Sequence, residues 1–323
     1  MKKSLKKAKL NIVVVAAINV LLLYSLFSFL FYDGLDEGTV TAASEMRVEA
    51  DPNTTEGIIY TTPETALSQA NNQLDDMTVG DIETIDNEDS FNAGFYRDYE
   101  MGDIYYWELY DSDTIVCLDA VSGEIVLYAN NIHRTGSMSS SQIESQATTI
   151  ANGFCALPGD RSGAVTTYLE NVLTEYDEDP EDPEQNNTTV HNLWTVEFTR
   201  TKSGINAEDH IRLVLAPNGD LVTYRKYWNM DLQSLETYYS VTKPQAEITA
   251  LNAAGAGSTV HSSEKMIVRP NYSWSTNIEF GNDPCAVWEV YVEDSDENLC
   301  IYHVHRTSNT IIGGDFVDGY YET

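Results

Sequence analysis

Apolar and polar positions follow one pattern that is written three times along this chain. Each copy opens with apolar residues at a spacing near 3.6. The first has Ala66, Ala70 and Leu74, and the second has Ile143, Ala147, Ile150, Ala151 and Phe154. The third is an alanine-rich stretch from Thr242 to Ala254. Such spacing lines one face of a helix. Boundary signals agree with this reading. Thr62 precedes Pro63 at a first helical position, Ser141 and Glu144 form a capping box closed off by Pro158-Gly159, and Gly255 stops the third helix.

Behind each helix the period changes to two. The strands IYYWELY around Trp107, NLWTVEF around Trp194 and AVWEVYV around Trp288 each lead into a hairpin. The hairpins are TIVCLDA, Ser122-Gly123 and EIVLYAN; then HIRLVLA, Asn218-Gly219 and DLVTYRKYW; then LCIYHVH, Ser308-Asn309 and TIIGGDFV. Asn-Gly between alternating apolar runs is a strong hairpin signal. The stretch from Val165 to Tyr176 fits either period, and its Thr, Val and Tyr content favours a strand. Residues Tyr176 to Asn187, YDEDPEDPEQNN, read as a loop that lengthens the middle copy.

The pattern predicts an α+β fold of three tandem helix-plus-antiparallel-sheet repeats, at residues 58–135, 136–238 and 239–323. Trp107, Trp194 and Trp288 hold equivalent places, which assigns each to the core of its own repeat.

The first forty residues have a different character. A basic head, 1–9, carries five lysines, and Leu10 to Tyr32 then runs without a charge. At about 1.5 Å per residue that helix spans roughly 34 Å, enough for a hydrocarbon core of about 30 Å. A cleaved signal peptide is the rival reading. Its apolar region is usually about 7–15 residues with a small-residue cleavage site close behind, and here the only small pair, Ala42-Ala43, lies well past the run. The expectation is an N-terminal transmembrane helix at 10–32 and a stalk at 33–57. The lysine-rich end then faces the cytoplasm, and everything after the helix lies outside, at a single-pass cell-membrane location.

Charge narrows the partners. The chain has 51 acidic against 18 basic residues, a formal net charge of −33, and every acid lies after the apolar run. That field repels nucleic acid and anionic lipid heads. The expected partners are the membrane, through the N-terminal helix, and another protein. The four cysteines, Cys117, Cys155, Cys285 and Cys300, form no CxxC pair. They admit two disulfides in any of three pairings, or free thiols.

A helix with an A-x-x-x-A-like stripe, a W-x-V/L strand and a D-A-x-x-G-E-I-V hairpin together resemble the PepSY domain. LDAVSGEIVLY, from Leu118 to Tyr128, carries the resemblance most fully, and VLAPNGDLVTY, from Val214 to Tyr224, comes next. The third hairpin departs, because His305-Arg-Thr-Ser-Asn309 stands where D-A-x-x-G is expected. PepSY domains occur in propeptides of secreted metallopeptidases and in membrane-anchored envelope proteins. The resemblance implies peptidase regulation or envelope binding, and it brings no catalytic residues with it.

Candidate chemistry is sparse. His303 and His305 flank Val304 on a predicted strand, so both side chains face one way and could share a metal ion. Asp294, Asp296 and Asn298 match the opening of a calcium loop, D-x-D-x-N, but Leu299 stands where that loop needs glycine. There is no G-x-S-x-G elbow, no H-E-x-x-H and no cysteine beside a base. The sequence therefore points to no catalytic or cofactor-binding residues and at most to weak divalent-cation binding. The function it favours is a membrane-anchored, extracytoplasmic, non-catalytic binding protein that regulates a peptidase or another envelope protein. A structural spacer of the envelope with an acidic solvated surface is the alternative, and an uncharacterised hydrolase is the third reading.

Overall fold

The computed structural model describes residues 47–80, 82–85, 91–98, 104–111, 113–130, 136–175, 187–270, 283–295 and 298–317. The head, the expected transmembrane helix, most of the stalk and the acidic loop at 176–186 lie outside these residues. Among the described residues, no helix is long and apolar enough to cross a membrane. What is described is a mixed α and β structure with three helices and mostly antiparallel strands, in two compact units.

The N-terminal unit comprises residues 47–200 and 209–229. Its strands are β1 (Arg47–Glu49), β2 (Asn92–Asp98), β3 (Ile104–Tyr110), β4 (Thr114–Asp119), β5 (Ile125–Asn130), β6 (Val165–Glu175), β7 (Asn187–Lys202), β8 (Ile205–Leu215) and β9 (Leu221–Tyr227). They pair in the order β1-β2-β3-β4-β5-β9-β8-β7-β6. Helices α1 (Pro63–Asp75) and α2 (Ser140–Phe154) bury their stripes in one shared core. There Phe154 stacks on Tyr224 with ring centroids 4.2 Å apart. The first two repeats thus pool their apolar faces. Residues 165–175 form a strand, paired along its length with β7.

The C-terminal unit comprises residues 201–208 and 230–323. It holds α3 (Lys243–Ala254), β10 (Thr259–Val268), β11 (Cys285–Glu293), β12 (Leu299–His305) and β13 (Ile311–Val317). The four strands are antiparallel neighbours in sequence order, and β10 also pairs in parallel with Asn206 and Ala207 at the start of β8. Ala246 and Ala250 of α3 pack on Val290, Val292, Cys300, Tyr302 and Val304, so the helix covers one face of this sheet. All four cysteines are free thiols.

The helix starts follow from capping chemistry. Thr62 caps α1, its hydroxyl accepting the Thr65 N–H at 3.4 Å. Gln245 Oε1 accepts the Thr242 N–H at 2.9 Å ahead of α3. α2 begins slightly upstream of the Ser141–Glu144 pair, because Gln142 Oε1 reaches back to the Ser139 N–H at 2.9 Å and makes Ser139 the cap. The C-cap of α3 is Gly255, at φ +98°, whose N–H meets the Leu251 carbonyl.

The third hairpin repeats the first despite its different residues. The Asp119 N–H meets the Glu124 carbonyl and the Gly123 N–H meets the Asp119 carbonyl. His305, Thr310 and Asn309 reproduce both bonds. Asp119 Oδ1 accepts the Ser122 N–H at 2.7 Å, and His305 Nδ1 takes that place beneath the Ser308 N–H at 3.4 Å. Pairing slips by one residue at the same point of all three hairpins, leaving Val126, Val222 and Ile312 as the extra residues. The positive-φ position is Gly123 (+72°), Gly219 (+93°) and Asn309 (+58°) in turn. Asparagine tolerates the left-handed region and a β-branched residue does not. Asn309→Val should therefore lower stability by about 1–2 kcal/mol, whereas Asn309→Gly should leave the urea midpoint near the parent value. Equal midpoints for both variants would remove the backbone argument.

Candidate functional site

The face of the C-terminal sheet away from α3 carries an ordered row of ionisable side chains. In register, Glu264 on β10 lies opposite Glu289 on β11, and Glu289 lies opposite His303 on β12. Directly paired residues of an antiparallel sheet project to the same side. Tyr291, two residues along β11, shares that side. His303 Nε2 lies 3.2 Å from Glu289 Oε2, and the Tyr291 hydroxyl donates to Glu289 Oε1 at 2.8 Å. His303 is 8 % exposed and Glu289 9 %, so one carboxylate is held between two partners away from water. Val268, Val287 and Ile312 form an adjoining apolar cluster, and its Val287 lies two residues from Glu289 on β11 and shares its face.

The electrostatics follow from that placement. Burial alone pushes the Glu289 carboxyl up, but the bond from His303, its charge and the Tyr291 hydroxyl outweigh burial, and the net effect is a lowered value. Tyr291 is driven well above the usual phenol range by burial and by the Glu289 charge. Glu264 is raised, by burial first and then by repulsion from Glu289, with Lys243 opposing. An imidazole oriented by a carboxylate is half of an acid–base apparatus, since hydrolytic chemistry also needs a nucleophile within reach of the imidazole. The thiol of Cys285 is pushed up to about 11 by burial and Asp283, against Arg306, so it is protonated and weakly nucleophilic at neutral pH.

The residues proposed from sequence fall into separate roles. His303 and His305 do share a face, being opposite Glu289 and Val287. Yet His305 Nδ1 lies 2.9 Å from Ser308 Oγ and closes the hairpin turn, with its pKa lowered by burial and by Arg306. Asp294 caps the β11–β12 turn, its Oδ1 accepting the Asn298 N–H at 2.8 Å and its Oδ2 the Asn298 amide at 2.9 Å. Asp111 does the same for the β3–β4 turn, accepting the Thr114 N–H at 2.8 Å. The D-x-D-x-N likeness is thus a turn signature in these positions. Asp296 lies outside the described residues. Among the described residues, no group of three or more His, Cys, Asp or Glu side chains could hold one metal ion.

Glu289 and Tyr291 were missed in the sequence reading because WEVYV is an ordinary alternating strand. The available signal was that a Glu and a Tyr occupy the same face as His303, but only register makes them neighbours. A second buried ion pair, in the N-terminal unit, was equally invisible. Arg200 meets the fully buried Asp209, reaches Asp160 at 3.3 Å and lies 5.1 Å over the Trp228 ring.

No family model matches the chain, and no curated protein matches it. Among solved structures, the Bacillus megaterium YpeB C-terminal domain is similar at 10 % identity and a TM-score of 0.33, over 80 % of this chain and 98 % of that one. A likeness that loose establishes neither a fold family nor a function.

Proposed function

We propose that this chain is a membrane-anchored, extracytoplasmic, non-catalytic binding protein that holds or regulates a partner protein, with a secreted peptidase as the leading partner class. The observation that carries this reading is the edge of the C-terminal sheet. Among the described residues, β13 pairs with β12 and has no strand on its other side. An open edge offers a row of backbone N–H and C=O groups to an extended peptide. Two further features support it: the lysine-rich head before a charge-free span, which suits an anchor, and the PepSY-like hairpins at Leu118–Tyr128 and Val214–Tyr224, whose family occurs in peptidase propeptides. The surplus of acids favours fast encounter with a basic partner at low salt.

Cross-linking and mass spectrometry of the full-length protein in its own membrane tests the reading. The expected product is a reproducible cross-link between β13 and one protein, lost when Ile311, whose backbone N–H faces the open edge, is replaced by proline. Protease added to spheroplasts should remove everything after Tyr32 and spare the head. Turnover of a peptide, glycan or ester substrate, abolished by one substitution that leaves the fold intact, would overturn the non-catalytic assignment. A soluble mature chain starting near Ala43 would overturn the anchor.

A further inference from the structure

On the face of the N-terminal sheet opposite α1 and α2, one line of directly paired residues runs Glu108, Cys117, Leu127, Arg225 and Arg212. Two guanidinium groups therefore lie side by side on β9 and β8, an arrangement that destabilises a sheet unless the charges are met. Arg212 is met, because its Nε and Nη2 both bond Glu197 Oε2, the first at 2.7 Å. Arg225 is not. Its Nε is buried without a hydrogen bond, and it forms no ion pair among the described residues.

That isolation is unexpected in a chain with 51 acids and 18 bases. Arg200, Arg212, Lys226 and Arg306 each reach a carboxylate. An unmet buried donor is costly to fold and calls for an explanation. Around Arg225 the sheet supplies Leu127 directly opposite, and Thr223, 2 % exposed, two residues along β9 on the same face. The result is a half-buried positive fork with an apolar flank and one hydroxyl beside it.

We propose that Arg225 anchors a site for a single carboxylate group. A guanidinium presents parallel N–H donors that match a planar carboxylate in bidentate fashion. Arg212 is already neutralised by Glu197, so the local surplus is one positive charge, and the acidic chain around it disfavours a dianion such as phosphate. The same chemistry is offered by a small free acid and by the C-terminus of a peptide. The site is independent of the β13 edge, and neither proposal depends on the other.

The test uses full-length protein labelled with nitrogen-15, with the Arg225 Nε–H resonance assigned by its loss in Arg225→Gln. Sodium acetate, triglycine, triglycine amide and sodium phosphate are titrated against sodium chloride at matched ionic strength. Acetate and triglycine are expected to shift the Arg225 signal saturably and to raise Tm, and the amide to do neither. The rise in Tm should vanish in Arg225→Gln, persist in Lys226→Gln and need about tenfold more acetate in Arg225→Lys, which keeps the charge without the fork. Half-saturation by triglycine at a concentration at least tenfold below that for acetate supports the site with a peptide terminus as source, and similar values support it with a small acid. Equal shifts with chloride, tighter saturation by phosphate, or an acetate effect that survives in Arg225→Gln would each overturn the proposal.

Discussion

Trp107→Ala is expected to lower the stability of the protein by about 3–5 kcal/mol, the usual cost of truncating a large buried aromatic side chain. Trp107 is 6 % exposed, packs 5.0 Å from the Phe95 ring, and donates its indole N–H to the Tyr60 carbonyl at 2.7 Å. Truncation opens a cavity beneath α1 and strands a carbonyl just ahead of the Thr62 cap. Trp288 makes the matching bond to Val241, just ahead of the Thr242 cap, at 2.9 Å, but it is only partly buried, so Trp288→Ala should fall at the lower end of that range. Trp194 differs. Like Trp288 it is only partly buried, but its ring lies edge-on to the half-exposed Tyr168 at 4.9 Å, and about 1–2 kcal/mol is expected, as for a partly buried side chain. Urea midpoints at unchanged m-value are the measurement. A Trp194 variant as damaged as the Trp107 variant would restore the equivalence of all three tryptophans that the sequence suggested.

Glu289→Ala should cost about 3–5 kcal/mol, because breaking a buried ion pair leaves the partner without its counterion. In this variant His303 and the Tyr291 hydroxyl both lose the carboxylate between them. The pH dependence has a defined sign. A carboxyl whose folded value is lowered contributes stability above the ordinary value of about 4.3, and that contribution is lost as pH falls through the folded value. Glu264, whose value is raised, acts oppositely and relieves repulsion by taking a proton first. The urea midpoint should thus hold or rise slightly on approach to pH 5, then fall below about pH 4, and Glu289→Gln should blunt that fall. A Glu289→Gln profile that matches the parent at every pH would show the row to be electrostatically idle. The double replacement Glu289→Met with His303→Leu should recover most of the loss, since a packed apolar pair commonly equals a buried ion pair.

The helices, the tryptophan strands and the hairpin turns could be read from the chain because each is a local property. A 3.6 stripe such as Ile143, Ala147 and Ile150 needs a partner face but not a particular one. Asn218-Gly219 selects a turn through its own φ preference. The capping box of α2 slipped to Ser139 and Gln142 because several serines compete there, and a four-residue motif cannot rank them. The third hairpin looked divergent for a similar reason. Its turn geometry survives with Asn309 replacing glycine and His305 replacing aspartate, an exchange of acceptors that a residue pattern does not register.

The candidate site was beyond local reading. Glu289 and His303 are joined by strand register, which depends on where the β11–β12 turn closes and on Asp294 capping it. Arg225 and Arg212 meet because β8 and β9 pair in one alignment out of several that their alternation would allow. From the sequence alone came the repeat, the α+β class, the charge and the expected anchor, since composition and periodicity are summed along the chain. Tertiary structure decided that the first two helices share a core, that His305 serves a turn, and that three ionisable side chains meet in a row on the C-terminal sheet. Those facts rest on distances between segments far apart in sequence, which the order of residues leaves open until the strands are paired.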